Sequence, residues 1–374
     1  MKILAIETSC DDTGVAVLQI LNSKFETLSN VVSSQQIHAN YGGVFPIMAK
    51  REHQTNLVPV LVSALKEAKL ANSKPQTLNP KQIQTLKKIL EKESGLYEFT
   101  KTFLETHEKP KVDYIAVTHG PGLEPCLWVG VNFAKALSYA WDIPVIPVNH
   151  IEAHILVNFM KHEAWSMKQT FPAISLIVSG GHTQLILVKK IGKHEIIGET
   201  RDDAAGECFD KAARILGLGY PGGPIISKIA AETKTSSFEL PRPMMHSKDY
   251  NFSFSGLKTS VLYKLRDTDP KIGKSEKFIQ EMCFAVQDAI CDVLIKKTLN
   301  AAKDYKAKTI ILGGGVSANQ ELKKQFTKKS EIPVIFPEPK LSKDNGLMIA
   351  VAGYFNRTKK IGWQRLSVHP NLRI

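Results

Sequence analysis

Two kinds of local pattern occur in this chain, and each occurs twice. ILAIETSCDDTGVAVLQI (3–20) and AISLIVSGGHTQLILVKK (173–190) are both an apolar run, a small polar turn with glycine, and a second apolar run, the pattern of a β-hairpin. DYIAVTHGPGLEPCLWVGVNFAKALSYAW (113–141) and AKTIILGGGVSANQELKKQF (307–326) each read as a buried strand, a glycine-rich turn and an amphipathic helix. A hairpin followed by a strand-glycine-helix unit in each half predicts two related α/β lobes facing each other across a cleft, the duplication lying in architecture and not in letters. The chain's 374 residues are enough for two such cores. The boundary is expected near Pro147, giving lobes 1–147 and 148–374. Two stretches break the scheme. Residues 71–112 are rich in Lys, Gln, Glu and Pro and read as an insertion or lid with one short amphipathic helix around QIQTLKKILEKES. Residues 232–250 carry two prolines and read as an irregular connector before the helical EKFIQEMCFAVQDAICDVLIKKTLNAA.

Glycine in such turns lets backbone N–H groups approach phosphate oxygens, because no side chain stands in the way. One glycine turn is ordinarily just a turn. Four of them, at Glu7 to Gly14, Gly120 to Gly122, Ser179 to Thr183 and Gly313 to Gly315, favour a nucleotide or a nucleotide-like ligand. Asp11 and Asp12 lie on the first of these. Their carboxylates suit a magnesium ion held with nucleotide, or polarisation of a leaving group, and equally suit plain turn formation.

VNHIEAHILVN (148–158) places His150 and His154 four residues apart. On a helix they share a face and can share one metal ion, although a solvated histidine pair at a helix start has the same spacing. Glu152, at i+2, points elsewhere, so the arrangement is not HExxH with its adjacent glutamate base. A third ligand has to come from another segment, and LSKDNGLMIA offers Asp344 at the start of a late helix.

Composition narrows the class. A net charge of +13 suits a polyanionic partner, nucleic acid first, and is also a trait of organelle-matrix proteins; lysines that merely keep a surface soluble would produce the same number. The five cysteines are scattered without a CxxC pair, which argues against a disulfide framework or a zinc ribbon and fits a reducing compartment. No apolar run approaches the roughly eighteen residues of a bilayer span, and the N-terminus enters a strand pattern directly, so neither membrane insertion nor secretion is expected.

HIEAH, IVSGGHTQL, DDAAGECFDKAARILGLGYPGGP, FSFSGLKT, GGGVSAN and KDNGLMIA, in this order, resemble the signature blocks of the tRNA N6-adenosine threonylcarbamoyltransferase family. The resemblance runs from Ile3 to about Gly353, apart from 71–112. It implies the duplicated α/β fold of the actin-like, sugar-kinase and Hsp70-like ATPases, with two lobes around a nucleotide cleft. The implied activity is transfer of the threonylcarbamoyl group from threonylcarbamoyl-AMP, made by a separate synthase, to N6 of adenosine 37 in ANN-decoding tRNAs. His150, His154 and Asp344 would hold one divalent ion, zinc or iron. Ile177, Val178, Ser179, Gly180, Gly181, Asp210, Gly223 and Asn319 would hold the adenylate. Asp11 and Asp12 would be needed for catalysis, and Lys50, Arg51 and His53 would lie at the tRNA-facing mouth. Lys258 falls in a matched block without an assigned role.

Departures from the family pattern point to a branch. CDDT stands where many members have CDET, so Asp12 is a shorter carboxylate. Ile177 and His182 replace the Tyr and Asn of archaeal and cytosolic eukaryotic members, and Lys343 replaces a small polar residue. Ile177 and His182 point to the bacterial and organellar branch, and within it the basic charge and the lysine-rich insertion resemble the mitochondrial members more than the bacterial ones, which implies a homodimer in the mitochondrial matrix; a bacterial-type cytoplasm is the alternative. Two other functions compete. An ATPase or kinase on the same fold would not need the histidine pair, and a metallopeptidase would need a better-placed glutamate.

Overall fold

A computed structural model describes residues 1–160 and 167–374 of the chain. The chain divides into two compact units, one made of Met1–Gln36, Val44–Glu163 and Asp344–Ile374, the other of Ile37–Gly43 and Ala164–Lys343. This differs from the break expected after residue 147. The strand Val145–Asn149 pairs with Tyr114–Gly120 and runs directly into the helix His150–Leu156, and the helix Gly346–Phe355 packs on the first hairpin, so both helices stay with the first unit.

The first unit is built on five strands: β1 (Lys2–Glu7), β2 (Asp12–Leu21), β3 (Lys24–Ser34), β4 (Tyr114–Gly120) and β5 (Val145–Asn149), in the order β3-β2-β1-β4-β5. β1 pairs antiparallel with β2, β2 antiparallel with β3, and β1–β4 and β4–β5 are parallel. The second unit has β6 (Ala173–Val178), β7 (Thr183–Lys190), β8 (Lys193–Glu199), β9 (Thr309–Gly313) and β10 (Val334–Ile335), in the order β10-β9-β6-β7-β8. Its directions repeat those of the first unit: β6–β7 and β7–β8 antiparallel, β6–β9 and β9–β10 parallel. The architectural duplication expected from the two hairpins is therefore present strand for strand. β6 and β9 are buried along their whole length, as strands covered on both faces must be, and their Ile-, Leu- and Val-rich sequences follow from that.

Each unit has its own apolar core, one gathered around Leu4, Leu61, Phe133 and Leu137, the other around Leu176, Phe209, Met282 and Leu312. The 29-residue helix Glu276–Asp304 starts at Ser275, whose hydroxyl caps Phe278 N, and it supplies much of the second core.

The insertion differs from the expectation of a solvated lid with one helix. It forms two helices, Pro80–Ile89 with an Asn79/Gln82 capping box and Ser94–Thr106, and these bury Leu86, Leu90, Leu96, Phe103 and Leu104 in the core of the first unit. The lysines of the first helix occupy its outer side only. Residues 232–250 contain no regular element, as expected of the connector.

Close backbone contact sets the position of the Gly346–Phe355 helix. A Cβ on Gly346 would lie 2.5 Å from Ala16 N, and one on Gly14 would lie 2.7 Å from Gly346 N. The two glycines let the helix start sit directly on β2. Asp344, two residues before Gly346, is thereby held beside the β1–β2 hairpin.

Candidate metal centre and adenylate turn

The three proposed ligands all belong to the first unit, and they converge. Asn149 ends β5 and caps the helix His150–Leu156, its side chain accepting from Ile151 N at 2.9 Å and Glu152 N at 3.1 Å, which fixes the helix start and the aim of its first histidine. His150 and His154 are both buried, and their rings lie edge to face with centroids 4.8 Å apart. Their Nε2 atoms approach one oxygen, Asp344 Oδ1, at 3.6 Å and 3.2 Å respectively. One donor atom from each of the three residues lies within 4.8 Å of the others. Two imidazole nitrogens and a carboxylate so placed are a donor set for a divalent transition ion.

A second carboxylate stands behind the first histidine. Glu7, at the end of β1, is fully buried; its Oε1 accepts from Ser9 N at 2.5 Å and its Oε2 from the Thr118 hydroxyl at 2.6 Å. The same Oε2 lies 3.2 Å from His150 Nδ1, and Ser9 Oγ is also 3.2 Å from that nitrogen. An ionised carboxylate only accepts, so Nδ1 carries a proton, and Nε2 is the nitrogen that either holds a second proton toward Asp344 or, once that proton is lost, offers its lone pair to a metal ion. Burial alone would raise the Glu7 carboxyl, but the His150 ring and the Thr118 hydroxyl outweigh it and hold it below the usual value. Burial likewise disfavours a charged His150, yet Asp344 and Glu7 raise that ring to about 9. The pocket thus favours a positive charge, and a proton and a metal ion compete for it. Nδ1 of His154 is buried and has no hydrogen-bond partner among the described residues, so only His150 is backed in this way.

Asp11 and Asp12 lie half-buried on the β1–β2 turn, Asp12 opening β2 opposite Ser34. The Cys10 thiol is pushed well up by burial, with the carboxylates of Asp11 and Asp344 adding to the effect. Glu152 turns away, as its spacing indicated. Its Oε2 accepts from Asn356 Nδ2 at 2.8 Å and ties the histidine helix to the end of the Gly346–Phe355 helix, and burial raises its pKa.

His53 does not belong with the tRNA-facing group. It is fully buried, its Nδ1 2.8 Å from Thr13 Oγ1 and its Nε2 2.9 Å from Cys10 O, and it braces the turn that carries Asp11 and Asp12. Its side of the helix Pro46–Glu67 faces the sheet, whereas Arg51, two residues earlier, is exposed. Lys50 pairs with Glu93 of the insertion at 3.0 Å.

The four glycine turns fall into two classes. In the first unit, added Cβ atoms on Gly14 and Gly122 would strike Gly346 and Ser9, and one on Gly120 would strike the carbonyl of His369, so these glycines serve internal packing and leave no cradle. In the second unit, Gly180, Gly181 and Gly315 have nothing within 4 Å of such a Cβ. The β6–β7 turn is closed by Ser179 N donating to His182 O at 2.8 Å and by His182 N donating to Ser179 Oγ at 3.1 Å. Gly314 (φ +84°) lets its turn pass Val178, and Gly206 lets its helix approach Ser179 O, so the three segments crowd together around the open glycines. Asp210 Oδ1 accepts from Gly222 N at 2.7 Å, holding the Gly222–Gly223 turn, near which a Cβ on Gly223 would meet only Phe209 at 3.9 Å. Asn319 caps Leu322 N at 3.0 Å and donates to Gln287 Oε1 at 2.8 Å. Ile177 and Val178 are buried at the end of β6. The expected adenylate residues all lie in the second unit, whose β6–β7 turn is open at Gly180 and Gly181.

Glu7, Ser9 and Thr118 were not among the sequence candidates, nor was the Asp203 cluster. Asp203 is buried and binds both Lys258 at 2.7 Å and Lys211 at 2.8 Å, while Asp202 caps the helix Ser255–Arg266 through Phe254 N and Ser255 N. Lys258 thus has a visible part, joining the DDAAGE and FSFSGLKT blocks. In sequence these are only isolated polar residues; nothing about their spacing marks them.

A profile of the tRNA N6-adenosine threonylcarbamoyltransferase family matches residues 26–77 and 99–351. The curated relative of that name from Thermosipho africanus is 43% identical over 379 aligned positions, covering all of both chains, and the one from Porphyromonas gingivalis is 41% identical over 94% of this chain and 92% of its own. This chain belongs to the tRNA N6-adenosine threonylcarbamoyltransferase family. Over 95% of its length it also resembles HypF of T. kodakarensis, with a TM-score of 0.54 at 14% identity, and spans 47% of that chain. That likeness concerns the fold alone, the duplicated α/β fold of the actin-like, sugar-kinase and Hsp70-like ATPases. The family profile passes over 78–98, which spans the first inserted helix and the start of the second. Among the described residues of this family member, no helix is long and apolar enough to cross a membrane.

Proposed function

We infer that the chain transfers the threonylcarbamoyl group from threonylcarbamoyl-AMP to N6 of adenosine 37 in ANN-decoding tRNAs and releases AMP. The identity with threonylcarbamoyltransferases over the whole length carries this reading, and the convergence of His150, His154 and Asp344 supports it.

In the reaction the N6 amine attacks the carbamoyl carbon, a C–N bond forms, the C–O bond to the phosphate breaks, and the amine gives up a proton. An adenine amine is a weak nucleophile because its lone pair is delocalised into the ring, so carbonyl activation and alignment matter most. His150, His154 and Asp344 would hold one divalent ion, zinc or iron, which when bound supplies Lewis acidity for an acyl group. Glu7 keeps His150 in the tautomer that offers Nε2. Asp11 and Asp12, on the turn braced by His53, are the acids available to take the amine proton or to hold magnesium with nucleotide. In the second unit, Ser179 to Gly181 would receive the adenylate phosphate on open backbone, and Asp210, Gly223 and Asn319 would hold the nucleoside, Asp210 through the ribose hydroxyls. Arg51, with Lys50 beside it, would meet tRNA phosphate.

The adenylate is taken from a separate synthase, the chain acts as a homodimer, and the compartment is the mitochondrial matrix, with a bacterial-type cytoplasm as the alternative; the bacterial relatives favour the latter and the +13 charge the former. The Glu152–Asn356 bond argues against a metallopeptidase, whose base would have to reach the ion. The test is incubation with threonylcarbamoyl-AMP and an unmodified ANN-decoding tRNA, followed by mass analysis of the nucleosides. Formation of the threonylcarbamoyl nucleoside is expected, and its absence with metal-loaded protein would reject the reading.

A further inference from the structure

From Asn345 to Ile374 the chain contains no Asp or Glu, while it carries Arg357, Lys359, Lys360, Arg365 and Arg373. The family profile stops at residue 351, short of all five. A run of cations at a chain end is ordinarily a loose, solvated tail. Here it is ordered and fastened to the first unit. Ile361 forms an antiparallel bridge with Val145 at the edge of the sheet, through Ile361 N to Val145 O at 2.8 Å and Val145 N to Ile361 O at 3.0 Å. Trp363 stacks edge-on against Tyr139 at 5.5 Å, and Leu366 and Val368 are buried in the core.

The cations lie on either side of the Ile361 bridge and point outward. Arg357, Lys359, Lys360 and Arg365 are all exposed within nine residues, Arg357 and Lys359 on one short 3-10 turn, Lys360 directly after it and Arg365 on a second. Aromatic rings lie beneath two of them: the Arg357 guanidinium is 4.4 Å from the centre of Tyr354, and Lys360 Nζ is 5.5 Å from that of Tyr114. Cation–π contact stiffens these side chains without neutralising them. Two exposed cations held over aromatic rings, with Lys359 and Arg365 exposed beside them and no carboxylate in this stretch of chain, suit a phosphodiester backbone, where each phosphate contacted releases condensed counterions.

We propose that this pinned basic edge, Arg357 to Arg365, is a docking surface for the phosphate backbone of tRNA, separate from the residues that hold the adenylate and the ion. It rests on tRNA being the substrate. Its chemistry is independent of nucleotide sequence, so it would raise affinity for tRNA as a class and leave the choice of base to the reaction site.

The experiment is fluorescence-anisotropy titration of the full chain with an unmodified tRNA at several KCl concentrations, comparing wild type, Lys359→Gln/Arg365→Gln, and Lys324→Gln/Lys328→Gln. The last pair is a matched control, two exposed cations on the helix Gln320–Lys329. The Lys359/Arg365 variant is expected to bind about 5- to 20-fold more weakly near 0.1 M salt and to lower the slope of log affinity against log salt by about 1 to 2, the control to change neither. All these side chains are exposed, and equal melting temperatures verify that folding is untouched. Wild-type affinity and slope in the Lys359/Arg365 variant, or an equal loss in the control, overturns the proposal. Binding is read without turnover, so failure of transfer would count against the functional reading and not against this surface.

Discussion

Oε2 of Glu7 and Nδ1 of His150 lie 3.2 Å apart in a site closed to solvent, and this contact decides which ring nitrogen of His150 faces Asp344. A carboxylate behind a ligating histidine fixes its tautomer and raises its basicity, and loss of such a partner commonly costs about 10- to 100-fold in metal affinity. Glu7→Gln keeps the volume and an acceptor but removes the charge. It is expected to weaken zinc binding within that range in a competition titration with a chromophoric chelator. Wild-type affinity would mean that Glu7 serves folding only.

Gly346 is where the late helix touches β2, with no room for a methyl group beside Ala16. Gly346→Ala is expected to lower stability by about 1 to 3 kcal/mol, the usual cost of overpacking, and to reduce bound metal because Asp344 shifts with the helix start. Thermal melting and elemental analysis of the same preparation check both. Unchanged melting would show that the helix can slide without penalty.

The open and closed glycines of the second unit should separate by substitution. Gly180→Ala has free space around it and is expected to fold normally while weakening binding of AMP, whereas a Cβ on Gly206 would meet Ser179 O at 2.5 Å and Gly206→Ala should lower the melting temperature. Calorimetric titration with AMP and thermal melting of the two variants read the contrast. Normal AMP affinity in Gly180→Ala would remove the β6–β7 turn from the nucleotide site.

His119 provides a pH dependence. Burial and the neighbouring His369 lower its pKa from 6.5 to about 4 in the folded chain. Between these values the unfolded chain binds a proton that the folded chain does not, so stability falls as pH drops from about 6.5 toward 4. His119→Gln removes this contribution, and its melting temperature is expected to fall less than that of wild type between pH 7 and pH 4.5. Parallel curves for the two proteins would contradict the assignment.

Much of the fold is legible in the residues, and the exceptions have physical causes. β6 and β9 are covered on both faces and therefore read as mainly apolar runs. β3 and β8 are edge strands with one buried residue each, and KFETLSNVVSS and KHEIIGE carry too few apolar residues to announce themselves. In the insertion, lysines on the outer side mask the leucines that pack inward. His150 and His154, which the structure brings together with Asp344, stand out by residue type and by their four-residue spacing on one helix face. Glu7 and Thr118 do not, since β1 and β4 meet only through the sheet. The resemblance grouped His53 with Lys50 and Arg51, but Arg51 faces water, and two residues on, the helix has turned through about 200° and faces the sheet. Nor does the sequence distinguish glycines that admit a neighbour, such as Gly14 and Gly122, from those that leave space, such as Gly180.

Elemental analysis of purified wild type and His154→Ala, both after metal reconstitution and desalting, tests the central claim most directly. The expected result is one zinc or iron per wild-type chain and almost none in the variant, with both proteins melting as folded. Equal metal content in the two would show that the imidazoles at 150 and 154 and the carboxylate at 344 do not form an ion site.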